Sequence, residues 1–189
     1  MPARPDRMLP ADPRWKVSAD EKRGQEMAES PTMRRQDKLI TDRAEQLRIL
    51  DDAKVLRVGL IDGDRPYVVP MNFGRDGDDL WLHATAASGL KLECIRSNPN
   101  VCVEVDHFVR LVVGPSACGH WTSHYLSVIG FGTAEIVEDL ALKIRGLTAV
   151  MRKYSGRDDW EFEAAQVAKT AVIRIRLESL TGKRSPAQG

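Results

Sequence analysis

The rhythm of apolar and polar positions changes near residue 33 of this 189-residue chain. Before that point Pro2, Pro5, Pro10, Pro13 and Pro31 stand among charges with almost no apolar periodicity. Residues 1–32 therefore predict a flexible arm, too poor in burial to offset the entropy of ordering it. Residues 33–189 predict one domain. Thr41 or Asp42 can cap a helix with Ala44, Leu47 and Leu50 on one face, ending near Asp52. Strand-like runs follow at 55–61, 67–73 and 80–84, separated by turns rich in Asp and Gly, the pattern of antiparallel hairpins. The run 90–96 lacks period-two alternation and predicts a short helix, stopped by Asn98-Pro99.

A fourth strand is expected at 101–105, where Val, Cys, Val, Glu and Val alternate, followed by an irregular stretch at 114–123. A long fifth strand at 126–137 contains Gly130 and Gly132, which mark a bend or a close backbone approach. Residues 140–154 predict a helix with Leu140, Ile144, Leu147 and Met151 near helical spacing, and a shorter helix is expected around 160–166. The last strand, 171–177, sets Val172, Arg174 and Arg176 against Ile173, Ile175 and Leu177. Strands with inserted helices and no β-α-β rhythm predict a mainly β fold with α elements. An antiparallel six-stranded barrel, which closes its own edges, suits the count better than an open sheet.

Composition narrows the function. With 28 basic and 27 acidic residues the formal charge is +1, which supplies no field for nucleic acid or an anionic membrane. Neither a spanning apolar run nor a secretory apolar stretch is visible, so a cytoplasmic protein is expected. Cys94, Cys102 and Cys118 are odd in number and form no C-x-x-C, which argues against a disulfide framework and a structural zinc site. His120 and His124 would share a face only in a helix. Gly114-Pro115 and Gly119 argue for a loop, so no metal site is expected. Hydrolase triads, phosphate-binding G-x-x-x-x-G-K patterns and dinucleotide fingerprints are missing from the sequence.

Several fragments occur in a telling order: Met33-Arg34-Arg35 with Asp37 and Ile40-Thr41-Asp42; Pro66-Tyr67-Val68-Val69-Pro70-Met71-Asn72-Phe73-Gly74; and Leu82-His83-Ala84 with Gly89, Lys91 and Glu93. Asn98-Pro99, Ser127-Val128-Ile129-Gly130-Phe131-Gly132, Thr170-Ala171-Val172-Ile173-Arg174-Ile175 and Leu180-Thr181-Gly182-Lys183 complete the series. Together they resemble the FMN-binding split barrels of the pyridoxamine 5′-phosphate oxidase-like superfamily, in its nitroimidazole-resistance-type branch. No counterpart of the oxidase's own C-terminal Arg-containing substrate signature follows Arg176. The resemblance implies a Greek-key split β-barrel with flanking helices. It also implies a homodimer with FMN at the subunit interface, and a small-molecule substrate rather than a nucleic acid or membrane partner.

On that resemblance the flavin phosphate falls to Lys91, with Thr85 and Ser88 as hydroxyl donors and the helix N-terminus as an anion site. Val69, Pro70, Met71 and Asn72 would border the ring, and Ala84 is expected among the cofactor-binding residues. His83 would bond the ribityl chain or, as the one catalytic candidate, supply a proton. Trp121 would cover the flavin of a partner subunit or anchor the interface. Plainer roles stay open beside these: a solvated helix lysine, Ser88 as an N-cap, Asn72 capping a turn and His83 in a structural place. Arg174 and Arg176 are expected to face out as solvated charge, or sharper, to contact phosphate. The expected activity is an oxidoreductase passing electrons from reduced nicotinamide or flavin to a small organic acceptor such as a nitroimidazole. The alternatives are a non-catalytic flavin- or haem-binding protein and a deazaflavin-dependent reductase.

Overall fold

The computed structural model describes residues 34–87, 89–116 and 120–185, so the arm expected over 1–32 lies outside the described residues. A 3-10 turn, Gln36–Lys38, leads into the two-residue strand β1, Leu39–Ile40. Helix α1, Arg43–Asp52, is capped by Asp42, whose carboxylate accepts from the Ala44 amide at 3.0 Å. The expected helix is there, but its buried residues are Gln46, Ile49 and Leu50, whereas Ala44 is exposed. Strands β2 (Leu56–Asp62), β3 (Arg65–Met71), β4 (Phe73–Asp76) and β5 (Asp79–Thr85) follow, then α2 (Leu90–Ser97). The long strands β6 (Asn100–Val112) and β7 (Thr122–Val137) form a hairpin. Helix α3 (Leu140–Ser155), the short α4 (Ala164–Ala168) and β8 (Thr170–Arg184) complete the chain.

All pairings are antiparallel, in the order β3-β2-β6-β7-β8-β5-β4, with β1 added to β8. The two ends of this path, β3 and β4, are one stretch of chain interrupted only at Asn72. Its first half pairs with β2 and its second with β5, so a single strand that changes partners joins the ends of the sheet. The mainly β antiparallel barrel is as expected. Eight strands replace six, because the expected strand at 67–73 divides at Asn72 and β1 is too short to carry a pattern.

The interior is filled from alternate positions, among them Leu56, Val58 and Leu60 of β2, Val101, Val103 and Val105 of β6, and Ile173 and Ile175 of β8. Leu92, Cys94 and Ile95 of α2 join this core, where burial pushes the Cys94 thiol pKa up. A second cluster lies outside the barrel, where α3 covers Trp81, Val137 and Val172 with Ala149 and Val150. That cover explains two departures. Val172 is buried although it alternates with inward residues, and Arg174 is only 14% exposed, with Glu135 and Asp79 beside it. Arg176, at 60%, is the solvated one.

Helix α3 itself is rotated from the expected face. Leu140 and Ile144 are exposed, and Gly146, Ala149 and Val150 are buried. The short helix near 160–166 begins later, at Ala164, after an irregular segment. Gly132 meets its expectation of close approach. It sits at a register shift between β7 and β8, and a Cβ there would collide with the Arg176 carbonyl. No helix among the described residues is long and apolar enough to cross a membrane.

Candidate functional site

The strand changes partners at Asn72, and the pairing registers say which residues border the resulting split, termed the cleft. The β4–β5 ladder ends at Phe73 opposite Leu82. Continued in the same register, it would set Asn72 against His83, Met71 against Ala84, and Pro70 against Thr85. Those pairs do not form, because β3 leaves to pair with β2 while β5 runs on along β8. Val69–Met71 and His83–Thr85 thus diverge from a common vertex at Asn72 and His83. Asn72, His83, Pro70 and Thr85 are exposed, while Val69 and Met71 turn toward the core, as alternation requires. The side chains of Asn72 and His83 make no hydrogen bond among the described residues.

Beyond β5 the chain enters α2, whose N-cap is Gly89, with no side-chain cap. Gly89 thus takes the N-cap position that the plainer reading gave to Ser88, and Ser88, expected as a hydroxyl donor to phosphate, lies outside the described residues. The carbonyl of Gly89 accepts from the amides of Leu92 and Glu93, at 2.9 and 3.2 Å. Lys91 stands half-buried in this first turn and makes no ion pair among the described residues. A helix N-terminus without a side-chain cap, with an uncommitted lysine in its first turn, has the donor chemistry a phosphate needs. The residues present fit a flavin mononucleotide in that respect.

On the outer face of the barrel, register places Pro70, Arg57, Glu104, Ile129 and Thr181 in one row and Val68, Gly59, Cys102, Phe131 and Ser179 in the next. Arg57 bridges Glu104 at 3.0 Å and Asp106 at 2.5 Å, and its pKa rises through those bonds. A pocket of 480 Å³ opens on this face, lined in part by Val55, Arg57, Asp106, His107 and Phe108. Continued one position beyond Leu56 and Met71, the β2–β3 register would set Val55, which lines this pocket, against Asn72. Sequence reasoning passed over Val55, Arg57 and Phe108, since nothing local marks a residue that reaches a site only through cross-strand register.

Trp121 is not brought to the cleft of its own chain. The β6–β7 ladder ends at Val112 opposite Thr122, so Trp121 lies one position beyond it, and Val112 is already four positions past Phe108, or roughly 13 Å at strand rise. It is half-exposed, and its indole N–H donates to the Gly114 carbonyl at 3.2 Å. His120 and His124 keep separate company: Ser116 lies 2.7 Å from His120 Nδ1, and Arg110 donates to His124 Nδ1 at 3.2 Å. No group of three metal-ligating side chains occurs among the described residues, and Cys118 lies outside them.

The sequence profile of the pyridoxamine 5′-phosphate oxidase family matches residues 42–184. No curated protein matches the chain by sequence. Among solved structures, a candidate 5-nitroimidazole antibiotic resistance protein from Bacteroides thetaiotaomicron is 31% identical with a TM-score of 0.69, over 77% of this chain and 86% of that one. The flavocytochrome Anf3 of Azotobacter vinelandii shares the fold at 23% identity and a TM-score of 0.72, over 82% and 73% of the two chains. An FAD- and haem-binding protein from Mycobacterium smegmatis does so at 24% and 0.70, over 80% and 77%.

Proposed function

Because the chain belongs to the pyridoxamine 5′-phosphate oxidase family of flavin-binding split barrels, we propose that it is an FMN-dependent oxidoreductase acting on a small organic acceptor. The observation that carries this reading is the split at Asn72, where Val69–Met71 and His83–Thr85 part company, with β5 leading directly into the N-terminus of α2, which has no side-chain cap. Bound FMN would supply reversible two-electron transfer between a reduced nicotinamide or flavin donor and that acceptor.

The chain's own residues then divide the work. The Lys91 ammonium and the first-turn amides of α2 hold the phosphate, with the Thr85 hydroxyl close by in sequence. Asn72 and the edge of β3 that faces away from β2 offer directional bonds to a ring edge, and Pro70 withholds one donor there. The His83 imidazole holds a proton at the mouth of the cleft. The second copy in a homodimer contributes Trp121, which is too far along its own hairpin to serve its own cleft.

An absorption titration of the purified protein with FMN tests the assignment. Saturable binding with perturbed flavin bands supports it. A colourless protein that ignores FMN sinks it, and an intense Soret band would move the assignment to haem. Reductase assays with a nitroimidazole acceptor then ask whether the bound flavin turns over.

A further inference from the structure

The chain switches strands at Asn72, and one side chain stands at the switch. In the β2–β3 ladder Leu56 opposes Met71, so the next positions in register are Val55 with Asn72 and Lys54 with Phe73. If the ladder continued, the Phe73 amide and the Lys54 carbonyl would face each other. Instead the Tyr154 hydroxyl lies between them. It accepts from the Phe73 amide at 3.2 Å and donates to the Lys54 carbonyl at 2.8 Å. Phe73 is also the first residue of β4, opposite Leu82 of β5. The hydroxyl therefore occupies the place of a direct backbone bond at the residue where the strand leaves β2.

Neighbouring contacts hold Tyr154 at that place. Lys153 donates to the Asp51 carbonyl at the end of α1, and its ammonium lies 4.1 Å from the centre of the Phe73 ring. Helix α3 presses so closely on β4 that a Cβ on Gly74 would collide with the Ala149 backbone. Two consecutive residues of α3 thus fasten the exit of α1 to the start of β4.

We propose that the Tyr154 hydroxyl is an inserted link that opens the barrel at Asn72, which makes Tyr154 a positioning residue for the flavin site. A hydroxyl between two backbone groups satisfies both while spacing them wider than a direct bond would. The spacing turns β3 away from β4 and fixes where the Asn72 side chain and the neighbouring amides point. The role in flavin binding rests on the function proposed above. The role in strand switching does not.

The experiment is Tyr154→Phe, read by amide hydrogen exchange and by FMN titration, with Val150→Ala on the same helix as a control for lost stability. In the wild-type protein the Phe73 amide is expected to exchange as slowly as ladder amides, although it donates to a side-chain hydroxyl. In Tyr154→Phe its exchange accelerates, with the effect centred on residues 72–74. FMN then binds about tenfold more weakly, and the bound flavin's absorption bands shift. Val150→Ala lowers the melting temperature but leaves the flavin bands in place. Fast exchange at Phe73 in the wild type overturns the link, whether or not the variant folds. Tyr154→Phe with unchanged flavin affinity and bands overturns its positioning role. A wild-type protein that binds no FMN removes that role together with the proposed function and leaves the exchange data to decide the link alone.

Discussion

Lys91 and Arg174 are both cations on elements next to the cleft, but their surroundings assign them differently. Lys91 has no ionic partner among the described residues, whereas Arg174 lies between Glu135 and Asp79, with its guanidinium 5.8 Å from the centre of the Trp81 ring. Lys91→Ala is therefore expected to weaken FMN binding by about tenfold or more, the loss of a charge-assisted bond to phosphate. Arg174→Met should leave FMN affinity unchanged but lower stability, because it leaves the Glu135 and Asp79 carboxylates without their counter-charge. Titrations of both variants separate phosphate contact from structural pairing, and a weakened Arg174→Met would return that arginine to the phosphate. Lys153 gives a pH test. Burial is the largest influence on it and lowers its pKa from the usual lysine value of 10.5; Lys54 and Arg75 act the same way, against Asp51 and Asp52. In the window between the lowered pKa and 10.5 the unfolded chain binds more protons than the folded one, so stability gains with rising pH. Urea midpoints across that window should rise in the wild type relative to Lys153→Met, and parallel profiles would contradict the assignment.

At the scale of elements, α3 does more than cover the sheet, since it sets the second core and holds Tyr154 at the strand switch. Its start depends on Asp139, whose carboxylate accepts from the Leu142 amide at 2.9 Å. Asp139→Ala should cost about 1 kcal/mol and lower the melting temperature by roughly 2–4 °C in a chain of this size. A calorimetric scan without such a drop would mean that other contacts already fix the helix start. The orientation of this helix was hidden in the sequence for a physical reason. Leu140 and Ile144 advertise an apolar face but stay exposed, whereas Gly146 and Ala149 approach the sheet where Trp81 and Gly74 leave no room for more, and Leu147 of the expected face packs at the edge of that cluster. The strands were readable wherever one face was wet and the other dry, as in β2, with Leu56, Val58 and Leu60 buried between more exposed neighbours. Alternation could not show that the strand through Asn72 changes partners, since the change is set by residues distant in sequence, Lys54 and Tyr154. The candidate residues at 69–72, 83–85 and 91 came from resemblance. What the structure adds is the register that relates them, and the separation that sets Trp121 apart.

For the molecule as a whole the outstanding question is what covers the outer face. Val68, Ile129 and Phe131 are each more than one third exposed, and register groups them on neighbouring rows between β3 and β8. The β6–β7 hairpin runs past the last pairing of β6 with β2, carrying Phe108, Leu111, Val113 and Trp121 exposed. A two-stranded ribbon with that much apolar surface is marginal unless it packs on something. A second copy related by a two-fold axis answers both features, because each chain then offers a hairpin and receives one. The expected mass in solution is twice the 21.1 kDa chain, measurable by light scattering. Phe131→Glu places a charge at the centre of the face and should yield monomers. If the partner's Trp121 completes the cleft, those monomers lose FMN affinity although Lys91, Asn72 and His83 are untouched. Trp121→Ala should weaken FMN binding in a protein that still dimerises. Monomers of Phe131→Glu that bind FMN as tightly as the wild type would mean that each chain holds its flavin unaided, and the hairpin would then need another occupant for its apolar surface.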